Sequence, residues 1–360
     1  MNTPFAQRRR ALQTLLAAER VGSLVVTQPA SWYYLTGFTG EAGALVVSRR
    51  GAALITDGRF MAQARTETSG IRIVQQAGSL AASVGQFLKS AGAGRVGFDA
   101  SQVTVGELQM LRKAAGGRVR WIATAGHVER LRGRKETQEI AQMRKAAILA
   151  GQVLEHALKM LKPGVRELEI AAEIEYQMRQ RGASGPAFAT IVAFGERSAY
   201  PHARATSKRL RKNELVVLDL GAILAHYCSD ITRTVVVGRA PARIRRWHRA
   251  VQEAQSAAIG AVRAGVTCGE VDAAARRVLA GYRLDRYFVH STGHGLGLEV
   301  HEDPRIAKAQ KQALEPGNVI TIEPGVYVPG VGGIRIEDDV AVHAERTEIL
   351  TRVPRDLIEI

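Results

Sequence analysis

Cysteine is nearly missing from this chain: Cys228 and Cys268 are the only two among 360 residues. Two thiols cannot form the framework of a disulfide-stapled fold, and the simplest setting for them is a reduced, cytoplasmic one. Long apolar runs are missing too. Nothing approaches the roughly 20 residues that cross a bilayer, so no membrane partner is expected. The basic start, Met1 to Arg10, is not followed by the apolar stretch and cleavage site of a secretory signal. Aromatic residues make up only 5%, which argues against the stacking platforms that hold single-stranded nucleic acids. Acidic residues are in deficit, 34 Asp and Glu against 50 Lys and Arg, leaving a formal net charge of +16. The basic residues fall in separate clusters, at Arg8 to Arg10, Arg130 to Lys135, Lys208 to Lys212 and Arg243 to Arg249. They read as a solvated basic surface, and no specific nucleic-acid partner is assigned.

What is present is the balance of an ordinary globular protein, 46% hydrophobic and 23% charged, in a chain long enough for two or three domains. Residues 1–130 read as an α/β domain. Arg8 to Glu19 has helical spacing, Ser23 to Thr27 is a short buried strand, and Ala44 to Ser48 and Ala52 to Thr56 are strands joined through Arg49-Arg50-Gly51. Helix over Leu80 to Ser90 and strand over Arg95 to Phe98 continue the alternation. The charged stretch Arg130 to Lys135 marks the boundary, and a second domain runs over 136–360. It opens with a long helix from Glu136 to about Leu161, stopped by Pro163-Gly164.

The second domain carries a weak internal repeat. Gly164-Val165 and Glu169-Ile170 recur at the same offset as Gly265-Val266 and Glu270-Val271, each opening an Ala-rich helix. Val216-Val217-Leu218-Asp219-Leu220-Gly221 resembles Ile320-Thr321-Ile322-Glu323-Pro324-Gly325. Each copy then offers another acidic position, Asp230 or Glu337. A carboxylate directly after an apolar strand sits where burial is expected, and buried charges need a partner or a metal. Four converging carboxylates would repel one another strongly, and divalent cations are the natural compensation. Oxygen-rich ligation with one imidazole suits manganese, cobalt, iron or zinc. The imidazole is expected from His290-Ser291-Thr292-Gly293-His294-Gly295-Leu296-Gly297, too rich in glycine for the helical zinc-protease motif but able to approach a crowded site closely.

Asp219, Asp230, His294, Glu323 and Glu337 match, in order and local context, the five metal ligands of the pita-bread metallopeptidases. The runs Tyr227-Cys228-Ser229-Asp230-Ile231-Thr232-Arg233-Thr234 and Gly333-Ile334-Arg335-Ile336-Glu337-Asp338 resemble that family's signatures. Tyr34-Leu35-Thr36-Gly37-Phe38-Thr39-Gly40 and Thr56-Asp57-Gly58-Arg59 resemble the amino-terminal domain of Xaa-Pro aminopeptidases and dipeptidases. The resemblance implies an α/β (α+β) protein: a pita-bread catalytic domain with pseudo-twofold symmetry, plus a smaller creatinase-like amino-terminal domain. It implies two divalent metal ions, manganese foremost, with cobalt, zinc or iron as alternatives. Asp219 would be a terminal ligand of one ion, His294 and Glu323 would hold the other, and Asp230 and Glu337 would bridge both. The implied reaction is hydrolysis of the amino-terminal Xaa-Pro bond by a metal-bridged hydroxide, with Glu323 carrying the proton toward the leaving amine. His202 and His301 would hydrogen-bond substrate and tetrahedral intermediate, and His290 would line the proline side of the cleft. Arg335, two residues before Glu337 and on the same strand face, would orient the ligands. A homodimer or homotetramer is also implied.

These residues leave open whether the substrate is a longer peptide or an Xaa-Pro dipeptide. The aminopeptidase is the reading adopted, with the dipeptidase (prolidase) as the alternative. A creatinase-like amidinohydrolase and a noncatalytic binding protein share the scaffold, but both would have lost ligands that are intact here. The other residues read more blandly: His127, His156, His248 and His343 as surface or structural, Cys228 as a small buried residue, and Trp32 and Tyr33 as core or interface. Asp57 reads as a hairpin-turn residue. His226 departs from the small residue usual before the Tyr-Cys-Ser-Asp run; it either narrows the cleft or lies outside it.

Overall fold

A computed structural model describes residues 3–360. The chain divides into two compact units, Met1–Arg132 and Gly133–Ile360. The first unit is built on a six-stranded sheet. Its spatial order is Arg72–Gln75, Gly51–Thr56, Ala44–Ser48, Ser23–Val26, Arg95–Asp99 and Arg120–Thr124. Ser23–Val26 pairs in parallel with Arg95–Asp99 and antiparallel with Ala44–Ser48, so the sheet is mixed. Val25, Val46, Ile55, Val96 and Leu88 meet in its core, from strands that are apolar on both faces and a helix with one apolar side.

Three expectations change here. The first helix starts earlier than its apolar spacing suggests, at Pro4–Ala18, because the Thr3 hydroxyl caps Ala6 N–H and Pro4 occupies the first turn. Asp57 is not in a hairpin: the strand before it pairs in parallel with the strand after it. Asp57 instead caps the short helical turn Gly58–Phe60 by accepting from Arg59 N–H. The basic clusters are also not wholly solvated. Arg8 and Arg9 are buried and donate to the carbonyls of Tyr34 and Leu35, and Arg8 stacks over the Tyr34 ring. Arg132 and Lys135 are buried as well.

The second unit shows the repeat as physical structure. Thr137–Met160 with Glu167–Gln180, and Ala242–Ala261 with Cys268–Gly281, are two helix pairs. Glu169 and Glu270 recur because each accepts the backbone N–H of its cap residue, Arg166 or Thr267; only the Thr267 hydroxyl accepts in return, from Glu270 N–H, to complete a capping box. Gly164 and Gly265 recur because each takes a positive φ, 97° and 87°, in the turn before the helix. Each of those glycines donates 2.8 Å to an equivalent leucine carbonyl, Leu210 in one half and Leu314 in the other.

Each helix pair backs a sheet. The first sheet runs Ile358–Glu359, Ile231–Val237, Glu214–Leu220, Ile191–Phe194; the second runs Glu302–Ile306, Gly293–Gly295, Val319–Ile322, Asp338–Val342, Thr347–Ile349. Leu154, Ile170 and Ile174 pack on Val216 and Leu218 in one half. Val251, Ala258 and Val271 pack on Ile320, Ile322 and Val340 in the other. Burying each of the larger side chains contributes about 1.5–3 kcal/mol, and these contacts fix the strand ends where the acidic residues sit. The fold is thus the mixed α/β arrangement expected, with pita-bread symmetry in its second unit.

Candidate metal centre

The carboxylates sit where apolar strands stop. Asp219 is next to last in Glu214–Leu220, and Asp230 immediately precedes the antiparallel partner Ile231–Val237. Glu323 immediately follows Val319–Ile322, and Glu337 immediately precedes its antiparallel partner Asp338–Val342. The strand interiors are fully buried, so their register holds the acidic groups largely out of bulk water, with Glu323 the most exposed at 16%. Asp219, Asp230 and Glu337 are all under 8% exposed.

His294 stands at the middle of Gly293–Gly295, whose backbone presses on Thr321. A Cβ on Gly293 would lie 1.8 Å from the Thr321 carbonyl oxygen, so only glycine fits there. The Nδ1 of His294 lies 2.9 Å from the Gly295 carbonyl. A carbonyl only accepts, so Nδ1 carries the proton and Nε2 presents its lone pair to the acidic groups. Nε2 is 3.6 Å from Glu323 Oε1 and 3.8 Å from Asp230 Oδ2. Ligand atoms of Asp230, His294 and Glu337 all fall within 4.8 Å of one another. Asp219 is outside that tightest group, but its charge acts on Asp230, Glu323 and Glu337. Of the five expected ligands, Asp230, His294 and Glu337 form the tight group, Glu323 adjoins His294, and Asp219 stands beyond it.

The electrostatics of this place are unstable without a cation. Burial, and then the charges of Glu337 and Asp219, drive the Asp230 carboxyl well above its ordinary range. Burial followed by Glu323 does the same to Glu337, and burial pushes Glu323 up to about 8. Burial lowers His294 to about 4, which keeps it neutral. Oδ1 of Asp219 and Oδ1 of Asp230 are buried with no hydrogen-bond partner. Orphaned acceptor oxygens beside a neutral imidazole lone pair are the donor set of a divalent ion, and the residues fit one.

Arg335 holds this set from behind. Its guanidinium donates to Asp219 Oδ2 at 2.5 Å, the Tyr327 hydroxyl at 2.6 Å, Thr232 Oγ1 at 3.0 Å and the Pro201 carbonyl at 3.3 Å. Thr232 in turn donates to Glu337 Oε2 at 2.6 Å. Thr232, Tyr327, Thr321 and Asp339 were not foreseen from the sequence. Thr321 Oγ1 accepts from His294 N–H, and Asp339 Oδ2 accepts from Asp230 N–H. The two-residue period of a strand could have marked Thr232 and Asp339, each two positions beyond a ligand. Nothing local marks Tyr327.

Of the remaining site residues, His301 packs its ring 4.4 Å from that of His294 and is exposed on its other side. His202 is exposed and lies close enough to act on the charge of both His290 and His301. His290 is committed at both nitrogens, Nδ1 to the Ser291 carbonyl and Nε2 to the Tyr327 hydroxyl, each at 2.8 Å. It therefore offers a ring surface rather than a free donor. His226 sits at the exposed tip of the hairpin joining Ala222–Leu224 to Tyr227–Cys228, at a positive φ of 72°. Cys228 is buried beside the ligand strand, and His127 and His248 are buried too. His156 and His343 pair with Glu173 and Glu348.

A two-fold repeat that aims buried carboxylates and one neutral imidazole at a common point defines a metal-dependent hydrolase. The chain belongs to metallopeptidase family M24, which it matches over residues 141–344, and it carries the creatinase/prolidase N-terminal domain over residues 8–133. It is 45% identical to the Xaa-Pro dipeptidase of Pyrococcus furiosus over 231 residues, 64% of this chain and 66% of that one. Among solved structures it superposes on the Xaa-Pro dipeptidase from Bacillus anthracis with a TM-score of 0.96 at 38% identity, covering 99% of this chain and all of that one. The X-Pro aminopeptidase from Thermotoga maritima gives 0.88 at 33% identity, covering 96% and 100%. The chain is thus a metallopeptidase with metal-dependent chemistry.

Proposed function

We propose that this metallopeptidase hydrolyses the bond between a free amino-terminal residue and a following proline, using two divalent ions with manganese foremost. The observation that carries the reading is the meeting of Asp230, His294 and Glu337 within 4.8 Å beside orphaned oxygens of Asp219 and Asp230. Asp219, Asp230, His294, Glu323 and Glu337 would hold the ions. Bound there, they would supply Lewis acidity and make a nucleophile available from water near neutral pH.

The chain's own residues do the rest. Glu323, whose Oε1 lies 3.6 Å from His294 Nε2 at the edge of the group, would take a proton from water and deliver it to the departing proline nitrogen. His301, whose ring packs against that of His294, and the exposed His202 would donate to the scissile carbonyl as it gains negative charge. The His290 ring, fixed by Ser291 and Tyr327, would give the flat proline ring a surface of matching shape. Arg335 keeps Asp219 turned toward the site through a charge-assisted hydrogen bond. A homodimer or homotetramer is part of the same proposal.

Relatives named Xaa-Pro dipeptidase support a dipeptide as the main substrate. The Thermotoga neighbour supports the aminopeptidase as the second reading. The test is hydrolysis of an Xaa-Pro dipeptide beside a longer Xaa-Pro peptide, after chelation and after restoring manganese, cobalt or zinc. Metal-restored cleavage of the dipeptide alone makes it a dipeptidase, and cleavage of the longer peptide makes it an aminopeptidase. No cleavage of either with metal bound would refute the proline preference.

A further inference from the structure

Asp230 and Glu337 head strands that belong to two different sheets. Their separation is therefore not set by a continuous ladder; it depends on how the seam between the sheets is closed. On the ligand side a few contacts cross it. Glu337 N–H donates to the Thr232 carbonyl at 3.1 Å, and the Thr234 hydroxyl exchanges hydrogen bonds with the backbone of Arg335. Arg233 alternates with Thr232 and Thr234 along the strand, so its side chain leaves on the opposite face.

There Arg233 is 2% exposed and uses every donor it has. Nη1 donates to the carbonyls of Thr232 at 2.9 Å and Glu337 at 2.6 Å, one on each side of the seam. Nη2 donates to Asp338 Oδ1 at 2.8 Å and the Val353 carbonyl at 2.7 Å, and Nε to the Pro354 carbonyl at 2.8 Å. Asp338 is saturated in its turn, with Thr351 on Oδ1 and Gln255 and Arg355 on Oδ2. A planar guanidinium with five committed donors has one position, unlike an ammonium on a flexible stem.

We propose that Arg233, locked in place by residues 351–355, is a positioning residue that fixes the spacing of Asp230 and Glu337 across the seam. The carboxy-terminal segment thereby acts on the metal centre through Arg233 and Asp338. This rests on the metal reading given above. Replacing Arg233 would leave the Glu337, Val353 and Pro354 carbonyls and the Asp338 carboxylate short of donors, and the seam would relax to find others.

The experiment titrates manganese(II) into the metal-free full-length protein by calorimetry, with thermal unfolding of each metal-free variant measured alongside. Arg233→Lys should bind manganese about 10- to 100-fold more weakly than the wild type, consistent with the loss of charge-assisted bonds. Arg355→Met, which removes only one outer partner of Asp338, should weaken binding about threefold and keep the fold. Glu348→Gln, away from the seam, serves as the control for general loss of stability and should bind as the wild type does. Wild-type affinity in Arg233→Lys, or a loss no greater than in the control, overturns the proposal. If Arg233→Lys does not fold, unchanged affinity in Arg355→Met overturns it. Failure of the wild type to bind any divalent ion overturns the metal reading itself, and the proposal with it.

Discussion

Lys135→Met isolates one buried ion pair and gives a number that can fail. Lys135 Nζ lies 2.9 Å from Glu302 Oε2, and the two side chains are 1% and 6% exposed. The other oxygen of Glu302, Oε1, accepts the backbone N–H groups of Leu298 at 3.0 Å and Glu299 at 3.2 Å. Removing one member of a buried pair costs about 3–5 kcal/mol, because the other charge stays buried and loses its charge-assisted bond. The two N–H donors remain in the variant, so the low end, about 3 kcal/mol, is expected. At about 2–4 °C per kcal/mol for a unit of this size, the unfolding midpoint should fall by about 6–12 °C. The double variant Lys135→Met with Glu302→Gln keeps the N–H acceptor without the charge and should regain most of that loss. The assay is thermal unfolding of the metal-free protein, following the transition of the second unit, with manganese binding measured separately. Glu302 closes the loop that carries His301, so turnover should fall while metal affinity holds. A Lys135→Met midpoint within about 2 °C of wild type, or a double variant no better than the single one, would refute the reasoning.

The remaining predictions concern the site and one surface pair. Asp230→Ala should abolish hydrolysis and weaken metal binding while leaving the fold intact; retained turnover would show the site is misassigned. His301→Ala should lower turnover and spare metal content, and lost metal would mean its role has been exchanged with that of His294. Tyr327→Phe removes the acceptor of one Arg335 donor and the hydroxyl on His290 Nε2. A hydrogen bond to a charged group is worth about 1.5–3 kcal/mol, so turnover should fall about 10- to 100-fold; unchanged steady-state rates would refute it. Glu348 is held at about 2 by its hydrogen bonds to Arg144, with His343 adding to the effect. A depressed carboxyl stabilises the fold fully above its unfolded range near 4.5 and loses that effect as pH falls toward about 2. Glu348→Gln should therefore cost about 1 kcal/mol at pH 7, discounted for partial exposure. In urea titrations the gap should shrink below about pH 4.5, and a gap undiminished at pH 3 would contradict the assignment.

The proposed ligands were legible because each breaks a local rule. An acid after Val-Val-Leu or Ile-Thr-Ile contradicts burial, and a histidine among glycines contradicts helix formation; both conflicts resolve only at a shared centre. The repeat was legible for a related reason. Positive-φ glycines and helix-capping glutamates are local necessities, so Gly164 and Gly265, or Glu169 and Glu270, had to recur wherever the unit did. Residues whose role exists only through a distant partner left no such trace. Tyr327 meets Arg335 across a short hairpin and His290 from another loop. Arg8 and Arg9 looked like surface charge because a run of arginines carries no sign of the Tyr34 and Leu35 carbonyls that bury it. Arg233 is the sharpest case. Its sequence setting, Ile-Thr-Arg-Thr-Val, reads as a charged residue interrupting a strand, which local rules would place in solvent. Its five donors are satisfied by groups up to 121 positions away, so only tertiary structure can tell a solvated arginine from the one that closes the seam. The physical boundary of sequence reading in this chain therefore runs between groups that need compensation, which announce themselves, and groups that provide it, which do not.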